Sequence, residues 1–167
     1  MEMSLSEKAE VLRRQLIRNF NDAPRERYLR PPLYDTLVAG LSDGTAAVKL
    51  GCGFDVVAPG QQSCPYHFHH AQEEMFIVLE GQGTLRVAGE LLPIKAGDVL
   101  FIPAGPDYPH HLLNNSDAPL KYLSISTKER PEVCEYPDSE KIGVSTQRGE
   151  RFTQRRANTL DYWDGET

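Results

Sequence analysis

The sequence predicts an all-β domain, a sandwich or closed barrel, preceded by a single α-helix. Three observations carry that expectation. From Leu33 to Thr127, short runs rich in Val, Leu, Ile, Tyr and Phe are broken by Gly, Pro, Asn and Asp about every eight to twelve residues, the rhythm of a small β-domain. Ahead of them, Ser4 to Phe20 places Leu5, Ala9, Leu12, Leu16 and Phe20 at helical spacing, and that period of 3.6 suits an amphipathic helix. The length of 167 residues is enough for one core and short of what usually splits into two.

In chain order, the helix opens with Ser4 and Glu7 in the arrangement of a capping box. Pro24 and the Pro31-Pro32 pair make residues 21–32 an extended connector. Strands are expected at 34–39, 46–50, 53–58, 66–69, 73–79, 83–88, 98–102, 109–114 and 119–126, with turns at Ser42-Asp43-Gly44, Glu80-Gly81-Gln82-Gly83 and Asn115-Ser116-Asp117. After Thr127 the chain turns polar. The expected organisation is residues 1–32 as helix and connector, 33–127 as barrel, and 128–167 as a loop and tail packing on the barrel or on a partner subunit.

Composition narrows the function classes. A chain that is 40% hydrophobic and 25% charged belongs with globular proteins and not with disordered ones. Its longest apolar runs, such as Met75 to Leu79, fall far short of the roughly 20 residues of a membrane span. The start, Met-Glu-Met-Ser, lacks the basic and apolar regions of a secretory leader, so the expected compartment is the cytoplasm. Three widely spaced cysteines, Cys52, Cys64 and Cys134, read as reduced thiols. A net charge of −6 argues against a nucleic-acid partner, which calls for a basic surface.

The main chemical signal is a cluster of histidines. Three of the five lie within Pro65-Tyr66-His67-Phe68-His69-His70, and the other two are His110 and His111. Residues two apart on a strand share a face, so His67 and His69 can present both imidazoles to one point while His70 turns away. A second strand running back beside the first brings Glu74 opposite them as a cross-strand neighbour, with Glu73 on the other face. His110, which shares a face with Leu112 and Asn114, supplies a fourth donor. Three neutral imidazoles and a carboxylate suit one divalent transition metal, Fe, Mn, Ni, Zn, Co or Cu, and leave coordination positions open for a small molecule.

These residues resemble the cupin superfamily. Gly60, His67, His69, Glu74 and Gly81 correspond to its first motif, with four residues between His69 and Glu74 and six between Glu74 and Gly81, as the family has them. Gly97, Pro103, Gly105, His110 and Asn114 correspond to its second motif. Four residues separate Gly105 from His110 where two are typical, which leaves both His110 and His111 open as the fourth ligand; the face shared with Asn114 favours His110. The resemblance covers about residues 53–127 and implies a double-stranded β-helix, or jelly-roll barrel, with the metal inside one end. Within the superfamily the chain looks most like small one-domain proteins of unassigned activity, some loosely labelled sugar-phosphate isomerase-like.

Phe76, Phe101 and Leu112 are expected to line the barrel, and Cys64 to be an inert packing thiol. Tyr66 and Tyr108, which flank the ligand segments, are catalytic candidates beside Glu74. Asn114 either orients a ligand or bonds its own backbone. Arg148, Arg151, Arg155 and Arg156, beside Glu150, read as a solvated face without a chemical role. The expected function is that of a metal-dependent isomerase or dioxygenase acting on a small oxygenated metabolite such as a sugar or sugar phosphate. The alternative is a non-enzymatic binding or sensing barrel. The resemblance, the amphipathic helix and the tail bearing Leu160, Tyr162 and Trp163 imply a homodimer.

Overall fold

The computed structural model describes residues 6–166. One helix, α1 (Glu7–Leu16), precedes β1 (Glu26–Arg30), β2 (Tyr34–Gly40), β3 (Leu50–Val57), β4 (Phe68–His69), β5 (Glu74–Glu80), β6 (Gln82–Val87), β7 (Glu90–Lys95), β8 (Val99–Ile102), β9 (His110–Leu113), β10 (Leu120–Thr127), β11 (Glu132–Tyr136), β12 (Lys141–Ser145) and β13 (Arg151–Arg155). The strands form sheets ordered β1-β2-β3-β10-β5-β8, β13-β12-β11-β4 and β7-β6-β9. The fold is the expected double-stranded β-helix with an N-terminal helix.

Strand alternation builds the core. Val57, Phe76, Val78, Leu85, Ile94, Leu100, Ile102, Leu112, Leu120 and Tyr122 meet in one buried cluster drawn from seven strands. Each such side chain contributes about 1.5–3 kcal/mol on burial. The same alternation corrects one expectation: with Leu100 and Ile102 turned inward, Phe101 of β8 faces out and is 72% exposed, so it does not line the barrel.

At the N-terminus the Ser4 half of the capping box lies outside the described residues. The observed cap is Ser6, whose Oγ accepts from the Ala9 N–H at 3.2 Å. Acidic Glu7 and Glu10 in the first turn and basic Arg13 and Arg14 in the last suit the helix dipole. The helix ends at Leu16 and not at Phe20, which instead packs with Ala23 against Ala39, Leu41 and Phe54. No residue of α1 is buried.

Several elements differ from expectation for identifiable reasons. The extended connector contains β1, which zips onto β2 through its backbone with every side chain exposed, so no apolar alternation marks it. Residues 46–49 are bends and irregular chain and not a strand. Strand β7, unassigned in the sequence, contains Pro93 and occupies a sheet edge, where a missing N–H is tolerated. The polar segment after Thr127 folds into β11, β12 and β13, which extend from β4 as one sheet. One face of those strands borders a polar cavity, so they carry little of the apolar pattern that betrays a buried strand.

Candidate metal centre

Backbone pairing brings the first two histidines together. The His67 N–H donates to the His110 carbonyl at 3.1 Å and the His110 N–H returns to the His67 carbonyl at 2.7 Å. This double exchange holds the two Cα atoms about 5.5 Å apart. The His69 carbonyl accepts from the Gly105 N–H at 2.7 Å, which ties the connection between β8 and β9 to β4; Gly105 has φ +116°, a conformation open to glycine and strained for other residues.

Glu74 arrives by a different route from the one its sequence position suggests. Strands β4 and β5 do not pair with each other: β4 pairs with β11, and β5 lies between β10 and β8. Glu74 therefore reaches the imidazoles across the barrel, from the inner face it shares with Phe76 and Val78. The turn that carries the chain between the two sheets is pinned by Glu132, whose carboxylate accepts the N–H groups of His70, Ala71 and Gln72 at 2.9, 3.1 and 2.9 Å. Thr127 Oγ1 accepts the next, from Glu73, at 3.0 Å.

The four side chains converge on one oxygen. Glu74 Oε2 lies 2.9 Å from His110 Nε2, 3.5 Å from His69 Nε2 and 3.8 Å from His67 Nε2. His67 Nδ1 is 2.8 Å from the Pro65 carbonyl and His110 Nδ1 is 3.1 Å from the Tyr108 carbonyl. An Nδ1–H donated to each carbonyl leaves the corresponding Nε2 lone pair facing Glu74. His69 Nδ1 lies 3.4 Å from Glu132 Oε1. Glu74 Oε2 and His110 Nε2 are both buried and, despite their proximity, lack hydrogen-bond partners.

Those orphaned atoms test whether a metal fits. An acceptor oxygen facing imidazole lone pairs is unfavourable without a positive charge among them, and a divalent cation supplies one. His67, Glu74 and His110 form one group whose ligand atoms lie within 4.8 Å of one another, and His67, His69 and Cys134 form a second. The residues fit the metal class expected from the sequence.

The surroundings perturb the titrating groups. Burial raises the Glu74 carboxyl, but the adjacent His110, with His69 and His67, outweighs it and holds the group below its ordinary value. Burial lowers His69. Burial pushes the thiols of Cys64 and Cys134 up to about 12, so both are protonated at neutral pH.

His67 and His69 open onto a cavity of about 370 Å³, also lined by Cys134, Tyr136, Gly143 and Arg151. Cys134 is the register partner of His69, and the Tyr136 ring stacks near His67 with centroids 6.1 Å apart. Glu132, Cys134 and Tyr136 are not among the sequence candidates, because the polar composition after Thr127 reads as loop and hides β11. The signal available was their i, i+2, i+4 spacing, which puts all three on one strand face.

Other candidates sit elsewhere. Tyr66 is buried, its hydroxyl accepting the Gly89 N–H at 3.1 Å and its ring lying under Arg86, and it does not line this cavity. Tyr108 serves through its carbonyl. His111 turns the opposite way from His110, its Nδ1 3.1 Å from the Cys64 carbonyl, and takes no part in the convergence on Glu74. His70 pairs outward with Glu135 at 2.9 Å. The Asn114 amide donates to the Val57 and Ala118 carbonyls at 2.9 and 2.8 Å, and its Oδ1 accepts from Ser116. Of its two expected roles, the backbone one is observed.

Comparison with known proteins agrees with the fold. Auxin-binding protein 1 of Arabidopsis thaliana is 32% identical over 133 residues, 74% of this chain and 64% of that protein. An uncharacterized protein of Methanocaldococcus jannaschii is 33% identical over 72 residues, 43% of this chain and 56% of that one. The chain thus spans less than two thirds of the length of either relative. A solved structure from Acidithiobacillus ferrooxidans, provisionally named a sugar phosphate isomerase, superimposes with a TM-score of 0.77 at 25% identity, covering 89% of this chain and 97% of that one. Residues 53–126 match the cupin domain family, and they hold the two histidine segments, Glu74 and the strands that surround them. Over residues 53–126 the chain carries a cupin domain.

Proposed function

We propose that His67, His69, Glu74 and His110 bind one divalent transition metal, and that the chain is a metal-dependent enzyme of isomerase or dioxygenase type. Its substrate is a small oxygenated metabolite such as a sugar or sugar phosphate. The observation that carries this reading is the convergence of three imidazole Nε2 atoms on a buried Glu74 oxygen at 2.9–3.8 Å, beside a cavity. A metal of this class supplies Lewis acidity toward a carbonyl or enediol oxygen, or redox chemistry with dioxygen. The chain's own residues do the rest: Pro65 and Tyr108 fix two imidazole tautomers through their carbonyls, Glu132 holds the turn and faces His69, and Tyr136 walls the cavity beside His67. The sugar phosphate isomerase name of the A. ferrooxidans structure supports the isomerase form.

The test is the metal content of protein purified without chelator, beside His67→Ala and His110→Ala. A near-stoichiometric metal in the parent that is lost in both variants supports the site; no metal after reconstitution overturns it. Dioxygen consumption by the iron form with a candidate substrate identifies an oxygenase, and dioxygen-independent turnover by the zinc or manganese form identifies an isomerase.

A binding or sensing barrel is the second reading. It is favoured by the scarcity of free proton-transfer groups at the cavity, where the Glu132 carboxylate is taken by three backbone N–H groups and burial raises the Tyr136 hydroxyl above its ordinary range. Thermal shifts with metabolites and no turnover support it. We further propose a homodimer, which would cover the exposed Leu16, Leu160 and Trp163.

A further inference from the structure

We propose that Arg151 binds an oxyanion, phosphate or carboxylate, of the small molecule whose other end reaches the His67–His69 side of the centre. This rests on the metal-centred reading above and assigns its substrate an anionic head group.

The argument begins with register. His69 pairs with Cys134, Cys134 with Gly143, and Gly143 with Thr153, so one row of residues crosses the sheet from the imidazole to β13. Ser145 pairs with Arg151, two residues further along both strands and therefore on the same face. Three strand spacings of about 4.8 Å put β13 about 14 Å from β4. An imidazole at one end and an extended arginine at the other narrow that gap to the length of a small metabolite.

The space between them is open. Gly143 contributes no side chain in the middle of the row, where a Cβ would stand 3.4 Å from Thr153 Oγ1 and 3.5 Å from Tyr136 Cε2. The cavity reaches from His67 and His69 to Ser145, Arg151 and Thr153. It is one continuous pocket with imidazoles at one end and a guanidinium at the other.

Charge makes the far end selective. Among the described residues Arg151 forms no ion pair, and its Nε donates to Ser145 Oγ at 3.2 Å. Of the arginines on and beside its own strand, Arg155 donates to the Ser139 carbonyl at 3.1 Å and Arg156 pairs with Glu135. Among the described residues the one carboxylate on the cavity, Glu132, is occupied by the backbone N–H groups of residues 70–72. An uncommitted guanidinium beside the Ser145 and Thr153 hydroxyls suits bidentate recognition of an oxyanion. On a chain of net charge −6 it is a local attractor for an anion.

The test is calorimetric binding of glucose, glucose 6-phosphate and glucuronate to the manganese-loaded protein, to Arg151→Ala and to Arg151→Lys. The three probes share a ring and differ at one carbon. Parent protein is expected to bind one charged probe about tenfold or more tighter than glucose, the scale of a charge-assisted hydrogen bond. Arg151→Ala is expected to abolish that preference and Arg151→Lys to restore part of it. Preference for glucose 6-phosphate identifies the phosphate form, and preference for glucuronate the carboxylate form. Equal binding of all three, no binding of any, or a preference that survives in Arg151→Ala overturns the proposal. Manganese content of the same samples reports on the metal reading separately: absent metal with an Arg151-dependent preference sinks that reading and leaves the oxyanion site standing.

Discussion

Glu132 Oε1 lies 3.4 Å from His69 Nδ1 while the same carboxylate accepts three backbone N–H groups from residues 70–72. One buried side chain thus fixes both the turn that separates the His67–His69 segment from Glu74 and the environment of one imidazole. Carboxylates behind ligand histidines typically alter metal affinity by about ten- to a hundredfold. Glu132→Ala is expected to weaken metal binding by about that factor and to destabilise the fold by about 1–3 kcal/mol, since the freed N–H groups lose their acceptor. Metal titration and urea unfolding measure the two effects; unchanged affinity would leave Glu132 a purely structural residue.

Removing the metal should cost a stability that grows with the logarithm of the free metal concentration above Kd. At a free metal concentration about 100 times Kd, binding adds about 2.7 kcal/mol. The parent is expected to lose a corresponding part of its Tm in chelator, and His110→Ala to show no chelator response. A thermal scan with and without chelator decides it, and equal responses in both proteins would reject His110 as a ligand.

Asn114 makes a contrasting prediction. Its amide bridges the Val57 and Ala118 carbonyls and its Oδ1 holds Ser116, so Asn114→Ala leaves buried carbonyls unpaired. A loss of about 2–3 kcal/mol is expected, with the metal-to-protein ratio unchanged. Metal loss without a change in unfolding midpoint would contradict this.

Asp55 gives stability a pH dependence. Burial raises its carboxyl to about 6, against a hydrogen bond from Ser124 that lowers it. A folded value above the unfolded one means that the native state binds the proton more tightly. Asp55 therefore favours folding below about 4, and that contribution is lost as pH rises through about 6. Relative to the parent, Asp55→Asn is expected to gain stability over that interval, by an amount on the order of 3 kcal/mol at neutral pH. Unfolding curves at pH 4, 5, 6 and 7, in chelator, test the sign; parallel curves for the two proteins would refute it.

The helix α1 has no buried residue, and Leu16 and Ile17 are 64% and 54% exposed. Light scattering is expected to give the mass of a dimer for the parent. Leu12→Glu with Leu16→Glu shifts it toward a monomer if α1 lies in the interface, and a monomeric parent would remove the dimer.

Legibility in the sequence followed the strength of local pattern. Strands β2, β5, β8, β9 and β10 have an apolar face, and their alternation marks them. The strands β1, β11, β12 and β13 do not, because their faces meet solvent or a polar cavity, and β7, at a sheet edge, buries only Ile94. The histidine cluster stood out because a His-x-His spacing defines a common face wherever the strand goes. Spacing singles out Glu74, yet the hairpin with the histidine strand that its position suggests is not formed, since β4 pairs with β11 and β5 with β10 and β8.

What the sequence by itself determined is the class of the fold and, as candidate donors, His67, His69, Glu74 and the His110-His111 pair, since each follows from a two-residue period and from donor chemistry. Only the tertiary structure decided that His110 and not His111 faces Glu74, that Glu132, Cys134 and Tyr136 border the site, and that Arg151 lies at the far end of its cavity. Those relationships depend on register between strands more than 40 residues apart in the chain, and register is set by the closure of the whole barrel, which no local pattern encodes.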